Sequence, residues 1–212
     1  INLIKERLPN RPVICFGHSL GSIINLNFAL KYPNQVNAIA CWNSGIETGL
    51  LPKASRIILA IEGFFRNQNL PSLIAWKLSF ETWNSKFKPN RTKSDWLSRD
   101  ENEVDLYVND PYCGFEVSIS MWREVLGGIF HAGNKKNIQK LPKALPVHII
   151  GGAEDPCTLN GGDMKKLATK LQNSGLSDVT CTILESTRHE SLNEINRDQT
   201  TKQFIKWLEE RF

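Results

Sequence analysis

The sequence predicts an α/β fold with a parallel sheet. Short apolar runs alternate with helical patterns along most of its 212 residues. Alternation of this kind calls for right-handed crossovers between parallel strands. All but the last of the runs are largely apolar rather than strictly alternating, as expected for strands covered on both faces. A glycine-bounded turn also joins the first run directly to a helical pattern.

Taken in order, "INLIKERLP" reads as a helix that already starts at Ile1. "PVICFG" (12–17) is the first strand. A helix follows, with Leu20, Ile23, Ile24 and Phe28 at helical spacing, and stops before Pro33. "VNAIACWNS" (36–44) is the second strand, "PVHIIGG" (146–152) the third and "DVTCTILES" (178–186) the fourth, the last being the least apolar. In "GGDMKKLATKLQNSG" one face carries Met164, Leu167 and Leu171, and Gly175 closes the helix. "RDQTTKQFIKWLEERF" ends the chain as a helix with apolar Phe204, Ile205, Trp207 and Leu208.

Residues 46–135 differ in character. They are helical in pattern and rich in Phe and Trp, and no loop between adjacent strands is that long. The expected division is therefore a core over 1–45, a helical lid over 46–135 and the rest of the core over 136–212. The lid aromatics serve core packing or line an apolar pocket.

Composition narrows the function classes. The net charge of +4 is spread along the chain and does not point to nucleic acid; it is compatible with slight attraction to anionic lipid. The five cysteines form no CxxC pair. Cys15, Cys41 and Cys181 lie in strand-like runs and Cys113 in the lid, where buried reduced thiols are expected, so a reducing cytoplasmic setting follows. No run is long and apolar enough to span a bilayer. No metal-ligand spacing and no phosphate-cradling glycine pattern is present, so neither metal nor cofactor is expected.

The chemistry concentrates in "GHSLG". Gly17, His18, Ser19, Leu20 and Gly21 fit G-x-S-x-G between a strand and a helix, a turn that lifts the serine hydroxyl clear of the backbone. Gly17 and Gly21 are expected to leave room for the turn, and the Leu20 N–H to face a developing oxyanion. His18, next to the serine, reads as a packing residue pointing away from it. A serine needs a histidine to take its proton and a carboxylate to orient that histidine. Asp155 follows the third strand and His189 the fourth, both at carboxyl ends where such groups gather. Glu154 competes for the acid role, but Pro156 fixes the turn at Asp155. His148, within a strand, and His131, at the end of the lid, read as structural or exposed.

With these residues the sequence resembles the α/β-hydrolase superfamily, and within it the lysophospholipase and monoacylglycerol lipase group, often merged with serine aminopeptidase-like hydrolases. "GHSLGS", "WLSRDENEVDLYVNDPYCGF", "GGAEDPCTLNGG" and "RHESLNEINRD" carry the resemblance in the expected order. It implies Ser19 as nucleophile, Asp155 as acid and His189 as base, acting on carboxylic esters of monoacylated lipids, with membrane-surface contact through the lid. A peptidase or amidase of the same fold is the alternative. Cys157 and "EST" before Arg188 depart from the group's pattern. The resemblance also implies strands before the elbow and an "H-G" loop with a second oxyanion donor. Neither is found before Ile1, so the chain reads as the C-terminal part of a longer protein, and an inactive fragment is a further alternative. Loss of one such donor costs about 10²–10³ in rate.

Overall fold

The computed structural model describes all 212 residues. The elements in order are α1 (Asn2–Arg7), β1 (Ile14–His18), α2 (Leu20–Lys31), β2 (Ala38–Trp42), α3 (Leu50–Phe65), α4 (Leu73–Trp76), α5 (Thr82–Asn84), α6 (Glu101–Asn109), α7 (Ile119–Ala132), α8 (Lys135–Ile138), β3 (Val147–Gly152), α9 (Gly162–Gln172), β4 (Val179–Leu184) and α10 (Arg197–Glu209). The strands form one parallel sheet in the order β1-β2-β3-β4. Their carboxyl ends therefore share one edge, where β1 leads straight into Ser19.

Strand ends follow local chemistry. β1 starts at Ile14 rather than Pro12, since proline has no N–H for the ladder and the Val13 N–H bonds instead to the Asn37 side chain. β2 ends at Trp42, two residues earlier than its apolar run suggests, because Asn43 adopts φ 53° and turns the chain out of the sheet. Asparagine tolerates that left-handed conformation better than most residues. β2 and β3 are wholly buried, whereas β1 bonds to a neighbour on one side only.

Two layers cover the sheet. On one face α2, α8 and α9 contribute Leu26, Ala29, Leu30, Ile138, Met164, Leu167 and Leu171 to the main core, with Ile39, Cys41, Val147 and Ile149 from the strands. On the other, α10 brings Phe204 and Trp207 against Trp42 and His148. Helical spacing placed Ile24 and Ile205 among the packing residues, but they are exposed. The inward stripe of α2 instead runs through Ser22, Ile23, Asn25, Leu26, Ala29 and Leu30, where Asn25 and Ser22 satisfy strand carbonyls.

Between β2 and β3 lies the helical insertion. Its α3 and α7 pack through Leu59, Ile119 and Leu126. Gly128 of α7 lies close to Ile23 of α2, which ties the insertion to the core. A run of helical turns over 73–87, with a π-helical turn at Lys77–Glu81, carries Trp76, Phe80 and Trp83; these rings pack in a chain that continues to Trp96 and Trp122. No helix is long and apolar enough to cross a membrane.

Candidate active site

Ser19 sits at the N-terminus of α2 with φ 52° and ψ −122°, a backbone strained for any residue but glycine. Its N–H bonds to the Trp42 carbonyl, so the neighbouring strand holds the turn. At Gly17 the close approach is absolute, since a Cβ there would lie 2.2 Å from the Gly21 carbonyl oxygen. Gly21 itself corrects the sequence expectation: a Cβ at that position meets nothing within 4 Å, so this chain has no steric need for glycine there. The crowding comes from the Gly21 backbone, not from its missing side chain.

The structure brings the three sequence-derived residues into one chain of hydrogen bonds. Ser19 Oγ lies 2.9 Å from His189 Nε2, and His189 Nδ1 lies 3.0 Å from Asp155 Oδ2. With the ring proton on Nδ1, the imidazole donates to Asp155 and its Nε2 accepts from the serine hydroxyl. Asp155 and His189 are both buried. The bonds to the ring come from Asp155, not Glu154. Leu20 opens α2, and N–H groups of a first helical turn have no carbonyl ahead of them in the helix.

Electrostatics keeps the pair polarised. Burial disfavours the charged form of His189, but the Asp155 charge and hydrogen bond, with the Glu190 charge, outweigh it and hold the imidazole above its ordinary pKa. Burial likewise works against ionised Asp155, yet His189 and the hydrogen bonds from Thr158 and Asn43 hold it below the usual carboxylate range. The Cys157 N–H and the Thr158 hydroxyl both donate to this carboxylate.

Several contributors were not legible in the sequence. Asn43, fully buried, donates to Asp155 Oδ2 at 3.4 Å and accepts from Ser191 Oγ at 2.7 Å. Gly152 lets the histidine loop approach the end of β3, because a Cβ there would lie 2.2 Å from the Thr187 carbonyl oxygen. Trp96 of the insertion packs on the His189 ring at 4.8 Å. His18 does not point away from the site as expected. Its Nε2 donates to the His189 carbonyl at 2.9 Å, and its ring meets the His189 ring edge-on at 5.0 Å. Burial holds His18 below its ordinary pKa.

The other sequence candidates lie elsewhere. His148 is enclosed by Trp42, Phe204 and Trp207, accepts from the Trp42 indole N–H, and is pushed down to about 4 by burial and Arg211. His131 is exposed and bonds to Asn27. The Cys113 thiol was expected to be buried, but the residue is half-buried in the loop after α6. Burial pushes Cys41 up to about 12 and raises Cys157 well above a free thiol. Two groups, His18–His189–Glu190 and Asp155–Cys157–His189, bring donor atoms within 4.8 Å of one another. Both require a His189 nitrogen already engaged by Asp155 or Ser19, so a metal would displace that hydrogen-bond chain.

A parallel sheet with a serine elbow after β1, an acid after β3 and a histidine after β4 defines an α/β-hydrolase. Comparison with known proteins gives the family. The chain belongs to the family described as serine aminopeptidase, S33, whose sequence model matches residues 1–196. It is similar to the monoglyceride lipase of Rattus norvegicus, with 23% identity over 190 residues, covering 89% of this chain and 55% of the relative. The chain thus spans about half the length of that relative. Its fold is similar to that of a thermostable carboxyl esterase from Bacillus coagulans, with a TM-score of 0.85 at 20% identity, over 99% of this chain and 68% of the other. It is also similar to the monoacylglycerol lipase of Paleococcus ferrophilus, with a TM-score of 0.72 at 19% identity, over 100% of this chain and 73% of the other.

Proposed function

We propose that this chain is a serine ester hydrolase acting on monoacylated lipids, monoacylglycerols or lysophospholipids, through an acyl-enzyme. The observation that carries the reading is the unbroken hydrogen-bond chain from Ser19 Oγ through His189 to buried Asp155. Ser19 Oγ attacks the ester carbonyl carbon while His189 Nε2 takes the hydroxyl proton. The carbonyl electron pair moves onto oxygen, facing the Leu20 N–H. Collapse expels the alcohol, which takes the proton back from His189. Water then repeats the sequence, releases the fatty acid and restores Ser19. Similarity to a monoglyceride lipase and a monoacylglycerol lipase supports the substrate class.

The family description also names an aminopeptidase, so the deciding assay offers both substrates. Release of fatty acid from a monoacylglycerol or a lysophospholipid, with no release of N-terminal residues from peptides, is the expected result. Peptide cleavage with inert acyl esters would replace this reading with the amidase one.

Substrates of this class reside in membranes, and the outer face of α3 suits such a surface. Leu50, Ile57, Ile61 and Phe64 recur at helical spacing along one stripe and are exposed, Phe64 to 83%. Contiguous exposed apolar faces of this kind mark interaction sites. Replacing Phe64 and Phe65 together by serine is expected to lower binding to phosphatidylcholine vesicles in a flotation assay by about tenfold, on roughly 1.5–3 kcal/mol per buried side chain reduced by shallow insertion. Unchanged flotation would remove α3 as the contact.

A further inference from the structure

We infer that Glu194 is a positioning residue for His189, the clasp that fastens the histidine loop to the helical insertion. The inference rests on the reading of His189 as the base. Glu194 has a fully buried side chain and no role in the hydrogen-bond chain itself. One carboxylate oxygen accepts from the Arg188 N–H at 2.9 Å and the Arg99 N–H at 3.1 Å. The other accepts from Arg99 Nε and the Ile195 N–H, both at 3.0 Å. A buried carboxylate with both oxygens filled by donors is strongly held in place.

Those donors belong to two separate pieces of chain. Arg188 immediately precedes His189, whereas Arg99 lies in the insertion just before α6, at Glu101–Asn109. Around the clasp the two pieces are joined again. The Glu190 N–H donates to the Leu97 carbonyl at 2.7 Å, and Ser98 Oγ donates to the Asn193 carbonyl at 2.7 Å. The Arg188 guanidinium bonds to the Asp95 and Ser98 carbonyls and lies over the Phe87 ring. Inside this seam Trp96 packs on the imidazole.

The consequence concerns the orientation of His189. Strand β4 ends at Leu184, and beyond it the segment after β3 ties the loop at Thr187, whose carbonyl accepts from the Glu154 N–H at 2.9 Å, before the chain reaches Arg188. Glu194 fixes the main chain on the amino side of His189 and at the same time fixes the segment that bears Trp96. With the clasp intact, the ring has a single position in which Nδ1 meets Asp155 and Nε2 meets Ser19. Without it, the donors of Arg188 and Arg99 lose their shared acceptor and the ring is free to tilt. A displacement of about 1 Å at a reacting group costs about 10²-fold in rate.

The test compares Glu194→Gln and Glu194→Asp with the unaltered chain and a Ser19→Ala control. The glutamine amide would set its N–H₂ against donors on one side of the clasp, whereas aspartate keeps the charge and acceptor on a shorter stem. Glu194→Gln is expected to lower kcat on a short-chain p-nitrophenyl ester about 10²-fold with KM within twofold, and Glu194→Asp to recover part of the loss. In proton NMR, the downfield resonance of the His189 Nδ1–H bonded to Asp155 should shift or vanish in Glu194→Gln while the protein remains folded by circular dichroism. Unaltered kcat, or an unaltered downfield resonance in a folded Glu194→Gln protein, overturns the proposal. The resonance needs no turnover, so it decides on Glu194 even if Ser19→Ala leaves the esterase rate unchanged, a result that would overturn only the proposed function.

Discussion

Ser19→Ala is expected to abolish acyl-enzyme formation and to lower kcat by about 10⁶-fold, the loss typical of removing the nucleophile from such a constellation. The clean measurement is labelling by a fluorophosphonate probe, which reacts only with an activated serine. The unaltered chain should take one label and Ser19→Ala none. The substitution also isolates chemistry from folding. Ser19 holds a positive φ that alanine tolerates no better, but the turn is fixed by the Trp42 carbonyl and by the approach of Gly17 to the Gly21 backbone, which survive the change. His189 keeps Asp155 as partner and loses only the donor at Nε2. Melting within a few degrees of the parent is therefore expected. Equal labelling of both proteins would show that another nucleophile is the reactive one, and Ser19 would lose its assigned role.

The site was legible in the sequence where each part depends on local pattern. A strand followed at once by a glycine turn and a helix identifies Ser19, and the ends of the third and fourth apolar runs point to Asp155 and His189. Sheet topology then brings together residues 34 apart, at 155 and 189, with one lying far earlier. What the sequence could not reveal depends on contacts between distant segments. Asn43 looked like the tail of a strand, yet its left-handed backbone ends β2 and turns its amide to Asp155. Glu194 stood in the sequence only as one residue of "RHESLNEINRD", yet two pieces of chain converge on it. His18 was expected to turn away from the serine. In a strained elbow the residue before the serine is carried towards the loop that bears the histidine, and it bonds to the carbonyl of His189. Gly21 erred the other way, being part of the motif without a steric reason in this chain.

Asp155→Asn is expected to lower kcat by about 10⁴-fold with little change in KM, because the carboxylate sets the tautomer of the imidazole. An asparagine offers the His189 ring either an amide oxygen or an amide N–H₂. The Cys157 N–H and the Thr158 hydroxyl already demand acceptors at this position, so the choice is contested. If the N–H₂ meets Nδ1, the proton moves to Nε2, and Ser19 then faces a donor where it needs a base. The pH profile supplies an independent reading. In the unaltered protein burial lowers the His189 pKa, but the Asp155 charge and hydrogen bond, with the Glu190 charge, together hold it above its ordinary value. The base must be neutral to act, so kcat/KM should fall as the pH drops through a value above about 6.5. Once the charge is removed, burial, the largest single cause, is opposed only by the smaller pull of Glu190, and burial favours the neutral ring. The acid limb of Asp155→Asn should therefore move to lower pH even as its plateau drops. A reduced plateau with an unmoved limb would mean that the limb belongs to another group. An unreduced plateau would return the acid's part to Glu154, the neighbour whose carboxylate makes no bond to the ring in this structure.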